Sequence, residues 1–100
     1  MTNEDKIPLR FKEDIKQIYV TGAFGGFTPY DFRLDLYIDT PELLEEIDEI
    51  QIIRKVENEV IMSVTTAKEL SMWLAKRVKE YEDKFGEIKT TSDVEEKDTK

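Results

Sequence analysis

Two carboxylates, Asp31 and Asp35, stand four residues apart in "YDFRLDLYI", with Arg33 midway between them. Alternate residues of an extended strand share a face, so this run sets acid, base and acid on one side. Such a pair serves as general acid and base only if the carboxyls lie within about 10 Å and one pKa is raised. The other reading is a solvated strand face or a set of cross-strand ion pairs. Two carboxylates are too few for calcium, which takes about six to eight oxygens.

The stretch just before, "TGAFGGFTPY", holds Gly22, Gly25 and Gly26, three of the four glycines in the chain. A phosphate-cradling loop needs a helix N-terminus directly behind it. Here a strand pattern follows and no Lys-Ser/Thr pair is present, so the stretch reads as a turn whose glycines supply positive φ. Phe24, Phe27 and Tyr30, with Tyr19 and Arg33, surround it. They form either a stacking platform for bases or a planar ligand, or the packing of a hairpin with one face in a core and the other in a dimer interface.

Composition removes most other chemistry. The 100 residues include no histidine and no cysteine. Ser-His-Asp and Cys-His catalysis, His-ligated metals, thiolate zinc and disulfides are excluded. The expectation is a non-enzymatic protein with no catalytic residue, no metal site and no cofactor. With no cysteine, no signal-peptide pattern and no apolar run long enough to span a membrane, the default location is cytoplasmic.

The formal charge is −8, and it is unevenly spread. Residues 39–59 hold eight acids against Arg54 and Lys55, whereas residues 10–38 and 65–88 are each balanced. The acidic segment 39–59 either recruits a basic protein partner or is a solubilising loop that guards an edge. Nothing in the charge supports nucleic-acid binding.

The elements that must position these residues follow from periodicity. "KQIYVTGAF" alternates, with Ile18, Val20, Gly22 and Phe24 on one side. "YDFRLDLYI" alternates strictly, with Phe32, Leu34, Leu36 and Ile38 forming an apolar face. Thr40, Pro41 and Glu42 fit the start of a short helix over 41–48. "IQIIRKV" and "EVIMSV" read as two strands joined at Glu57-Asn58. Ala67, Leu70, Leu74, Val78, Tyr81 and Phe85 make one stripe of a long helix, capped by Thr66 with Glu69 or by Ser63, and closed by Gly86. Three (i, i+4) pairs, Lys76–Glu80, Lys79–Asp83 and Glu80–Lys84, line its outer face. The expected fold is a two-layer α+β domain over 10–88, with a four-stranded antiparallel sheet (ββ-ββ) against one C-terminal helix. Residues 1–9 and 89–100 lack apolar periodicity and read as disordered tails.

Three segments, "YVTGAFGGFTPYDFRLDL", "VIMSVTTAKEL" and "YEDKFGEI", together resemble a small prokaryotic domain family of unknown function. Its pattern runs Y-x-N, then S-P-x-D/E-F-x-L-D-F, then R-I-I-x-S/T-P-x-x-A-K-x-L, then Y-E-x-x-F-G-x-I. This chain departs from the family at Thr21, Glu59 and Val64. The resemblance implies the fold and no activity. The strand order with a closing helix is also similar to that of Pur-alpha-like and Whirly-like proteins, which implies single-stranded nucleic acid on a sheet as the alternative function. The first expectation is a homo-oligomer, a dimer above all. One helix covers one sheet face and leaves Tyr19, Ala23, Tyr37, Ile53 and Ile61 on the other, with Met72 and Trp73 also off the helix stripe.

Overall fold

The computed structural model describes residues 6–92. The alternation around Leu34 and Leu36 forms the expected strand, but a longer one: β2 spans Asp31–Leu44. It pairs with β1, Gly22–Phe27, on one side and β3, Glu49–Ser63, on the other, both antiparallel. Helix α1 follows at Val64–Phe85. The domain is α+β with an antiparallel sheet and one C-terminal helix, as expected. The sheet among the described residues has three strands in the order β1-β2-β3, not four.

The difference has local causes. No turn forms at Glu57-Asn58. Leu36 faces Asn58 while Tyr37 faces Val56, so Glu57 is the extra residue of a β-bulge and β3 continues through it. No helix forms over 41–48. Pro41 pairs with Ile52 and Leu43 with Ile50, and only 45–48 leave the strands, as a turn. An isolated helix of two turns is marginal in water, whereas the hairpin gives Leu43 a β-branched cross-strand neighbour. Asp48 closes the turn at φ 52°, a left-handed conformation that Asp tolerates.

The "KQIYVTGAF" strand also starts late, at Gly22. Thr21 makes the last contacts along β2: its N–H donates to the Tyr37 carbonyl at 2.9 Å, and its hydroxyl accepts from the Asp39 N–H at 3.0 Å. The next residue of β2 to face that edge is Pro41, which has no N–H to give. Pairing stops there, and Ile18, Tyr19 and Val20 lie outside the strand beside Leu36 and Ile38. The connection between β1 and β2 is Thr28–Tyr30, not the glycines. It is tied by the Thr28 hydroxyl, which accepts from the N–H groups of Tyr30 (3.1 Å) and Asp31 (3.2 Å).

The glycines lie in β1 itself, for a different reason. A side chain at Gly22 would meet the Tyr37 ring, and one at Gly25, where φ is +155°, would meet the Arg33 carbonyl. They let β1 lie close against β2.

Ser63, not Thr66, caps α1: the Thr66 N–H donates to its Oγ at 3.1 Å. On the outer face Lys79 pairs with Asp83 at 3.0 Å, and Glu80 turns to Arg77 at 2.8 Å rather than to a lysine. Most of the expected tails, 1–9 and 89–100, lies outside the described residues.

Packing departs furthest from expectation. No hydrophobic side chain among the described residues is buried. The α1 stripe meant for a core stays open, with Leu74 51% and Phe85 66% exposed. An open apolar cleft of ≈ 290 Å³ is lined by Leu70 and Leu74 on the helix and by Phe32, Leu34 and Met62 on the sheet. The radius of gyration is 18.6 Å, against about 13 Å for a compact chain of this length. The accessible surface is 9757 Å², where a compact 11.8 kDa chain shows about 5,900 Å². Granting the thirteen residues outside 6–92 their full extended surface still leaves an excess of roughly 2,000 Å².

Candidate functional site

Residues directly opposite each other on antiparallel strands share a face, so register sorts the candidate residues. The helix side of the sheet carries Phe27 paired with Phe32, Leu34 with Val60, and Met62. The open side carries Phe24 opposite Asp35, Tyr37 opposite Gly22, and Ile61 opposite Arg33. The expected stacking platform is therefore divided. Phe24 and Arg33 are on the open face. Phe27 stacks on Phe32 at 5.4 Å on the helix side. Tyr30 sits in the turn, and Tyr19 lies off the sheet. An open groove of ≈ 330 Å³ beside the glycines touches Phe24, Phe27, Asp31, Arg33 and Asp35.

The expected interface set is divided as well. Tyr37 and Ile61 are on the open face, but Ala23 pairs with Leu36 and Ile53 with Thr40, which puts both on the helix side. Ala23 is placed by the β1–β2 register, and for Ile53 the bulge at Glu57 is the cause. It inverts the parity of β3, so that Ile50, Ile52, Arg54 and Val56 share a face with Glu59 and Ile61 rather than with Val60 and Met62. Met72 and Trp73 are both exposed on α1, and the Arg77 guanidinium lies 5.7 Å from the Trp73 ring centroid.

Electrostatics on the open face are set by cross-strand pairs. Arg54 makes a two-pronged bond to Asp39, Nε to Oδ1 at 2.9 Å and Nη2 to Oδ2 at 3.1 Å. That hydrogen bond holds the Asp39 carboxyl below its ordinary range. The same guanidinium lies 4.2 Å over the Tyr37 ring, so Tyr37 is held between Arg54 and Gly22. Asp35 stands opposite Glu59, not beside Asp31 as a working pair. Hydrogen bonding to Asp35 pushes the Glu59 carboxyl above its ordinary range, with desolvation second and Arg33, 3.6 Å away, opposing it. A raised carboxyl next to a second one is the arrangement of an acid–base pair. This one is exposed, and the groove that Asp35 borders is open, so water is not excluded from it.

The open face thus holds Asp31, Asp35, Asp39 and Glu59 against Arg33 and Arg54, and each arginine already pairs with one of those acids. No group of three or more potential metal ligands occurs among the described residues. No helix among them is long and apolar enough to cross a membrane.

The feature that periodicity missed is the outer half of the β2–β3 hairpin. Beyond Tyr37, β2 pairs with no strand on its β1 side, where Thr21 reaches only as far as Asp39, and residues 38–44 and 49–55 continue as a two-stranded ribbon of roughly 23 Å. Its open face is aliphatic, with Leu43, Ile50 and Ile52 more than half exposed. Ile50 and Ile52 alternate within the expected "IQIIRKV" strand, but the helix expected over 41–48 conceals the strand opposite them.

A family model described as "protein of unknown function (DUF3467)" matches residues 3–90. No curated protein and no solved structure matches the chain.

Proposed function

The chain belongs to that family, in keeping with its motifs, and since the family brings no activity with it, we propose that the protein is a non-enzymatic homo-oligomeric interaction module. The observation that carries this reading is the lack of any buried hydrophobic side chain among the described residues. A helix, a sheet and a ribbon with open apolar faces do not hold a fixed shape alone, because hydrophobic burial is the main term that offsets chain entropy. The excess surface of roughly 2,000 Å² per chain, taken twice, falls in the range of obligate homodimers. The simplest burial is against the same surface of a second copy, about a twofold axis.

Light scattering after gel filtration tests the reading. The expected mass is at least twice the 11.8 kDa of the chain at micromolar concentration. Ile61→Lys, on the open face, lowers that mass without loss of secondary structure. A strict monomer at every concentration refutes the assembly.

The alternative, a sheet-based binder of single-stranded nucleic acid, rests on Phe24 beside Arg33 at the open groove. The four acids of that face argue against it, because phosphates would have to displace Glu59 from Arg33 and Asp39 from Arg54. Titration with mixed single-stranded oligonucleotides at low salt decides. A shift that weakens with salt and with Phe24→Ala supports this alternative, and its absence removes it.

A further inference from the structure

Among the described residues, the surfaces left unpartnered in the single chain include the α1 stripe, the open face of the ribbon, and the acidic ribbon tip. They fit one another, though not within one molecule. A two-stranded hairpin is marginal in water unless a helix or further strands cover it. The open face of the ribbon points away from the side on which its own α1 sits, because the Glu57 bulge turns Ile50 and Ile52 over.

Charge limits what can cover the ribbon. Residues 42–49 carry Glu42, Glu45, Glu46, Asp48 and Glu49 with no base. Of these only Glu42 makes an ion pair among the described residues, with Lys55 at 3.4 Å. Two such tips side by side repel, which disfavours a tip-to-tip pairing of ribbons. On α1, about 100° per residue sets Lys84 and Arg77, the latter paired with Glu80 at 2.8 Å, along one flank of the Leu74–Val78–Tyr81 stripe. That helix offers an apolar track edged by cations, the complement of an apolar ribbon ending in acids.

We infer that the β2–β3 ribbon of one copy lies, through Leu43, Ile50 and Ile52, on the α1 stripe of a second copy, with its acidic tip beside Arg77 and Lys84, and that the second ribbon returns the contact on the first helix. This rests on the homo-oligomer reading and gives the acidic segment a cationic contact: the Arg77–Lys84 flank of another copy's helix. The exchange is reciprocal, so it closes as a twofold dimer. It also covers in one step the aliphatic face of the ribbon and the apolar stripe of α1.

The chain has no cysteine, so introduced ones are unambiguous. Ile50→Cys and Val78→Cys chains carrying tags of different length are co-expressed and treated with a short bis-maleimide. The expected product is the mixed Ile50→Cys/Val78→Cys dimer, with little of either like pair. A dominant Ile50→Cys pair means tip meets tip and overturns the inference. No cross-link in a sample whose scattering mass is still at least twice that of the chain also overturns it, while leaving the oligomer in place. A monomeric mass refutes the reading beneath it. A charge exchange checks the register. Glu46→Arg or Arg77→Glu alone weakens association about tenfold at low salt, and the two together recover most of that loss. Losses that simply add refute the proposed contact between tip and helix flank.

Discussion

Replacing Leu74 by alanine separates a chain that stands alone from one completed by another copy. In the single chain Leu74 is 51% exposed and borders the open cleft. Full burial of a leucine stabilises by about 1.5–3 kcal/mol, so the half present in the chain contributes about 1 kcal/mol. Water fills the space left behind, and no cavity cost is added. If a second copy covers the stripe, Leu74 is a core residue, and its truncation costs about 2–5 kcal/mol. About 1 kcal/mol moves the melting temperature of a domain this size by roughly 4–8 °C. Thermal denaturation followed by circular dichroism over a hundredfold range of protein concentration reads the difference. The expected result is a wild-type Tm that rises with concentration and a Leu74→Ala shift well above 8 °C. A Tm independent of concentration, together with a shift within the single-chain range, would refute the argument that the stripe is covered.

Glycine substitutions test the close approach of β1 to β2: Gly25→Ala is expected to destabilise by about 1–3 kcal/mol, because φ is +155° and the Arg33 carbonyl blocks the new methyl group. Gly26→Ala, with nothing within 4 Å, is expected to cost no more than about 1 kcal/mol in the same denaturant titration. Ser63→Ala removes the α1 cap and is expected to cost about 1 kcal/mol; an unchanged midpoint would assign the cap elsewhere. The two shifted carboxyls act in opposite senses with pH. Glu59 is raised above 4.5 in the fold, so its proton-bound contribution is present below that value and is lost as pH rises through the folded pKa. Glu59→Gln is therefore expected to be stabilising at neutral pH, with the gain vanishing in acid. Asp39 is lowered below 3.8, so its contribution is present above that value and is lost as pH falls through the folded pKa. Asp39→Asn is thus expected to destabilise at neutral pH and to converge with wild type in acid. Urea midpoints from pH 3 to 8 check both, and parallel curves contradict them.

The sequence carried the local signals well and the pairing poorly. Strict alternation located β2 around Leu34 and Leu36, and the spacing from Ala67 to Phe85 located α1 with its Gly86 end, because both depend on neighbours within a few residues. Residues 41–48 misled, since Thr40, Pro41 and Glu42 imitate a helix start, and only the partner strand at Ile50 and Ile52 shows that the chain stays extended. The bulge at Glu57 had no marker, and it decides which face Ile53 and Ile61 take. The sorting of Phe24 from Phe27, and the pairing of Asp35 with Glu59, required register across strands, which periodicity along one strand does not contain. The apolar character of the α1 stripe is legible in its spacing. That it would stay open within its own chain depends on the size of what lies opposite, which no helical spacing records.

Pro41 has a consequence beyond the end of β1. A molecule that displays this much aliphatic surface next to a bare strand edge is a candidate for runaway polymerisation, each chain templating the next. The unpaired edge of β2 beyond Thr21 is where such growth would start. At its middle position the imide nitrogen has no hydrogen to offer, so an incoming strand meets a gap in the ladder. Association is thereby steered towards side chains meeting across faces, which saturates after a fixed number of copies, and away from backbone pairing, which does not.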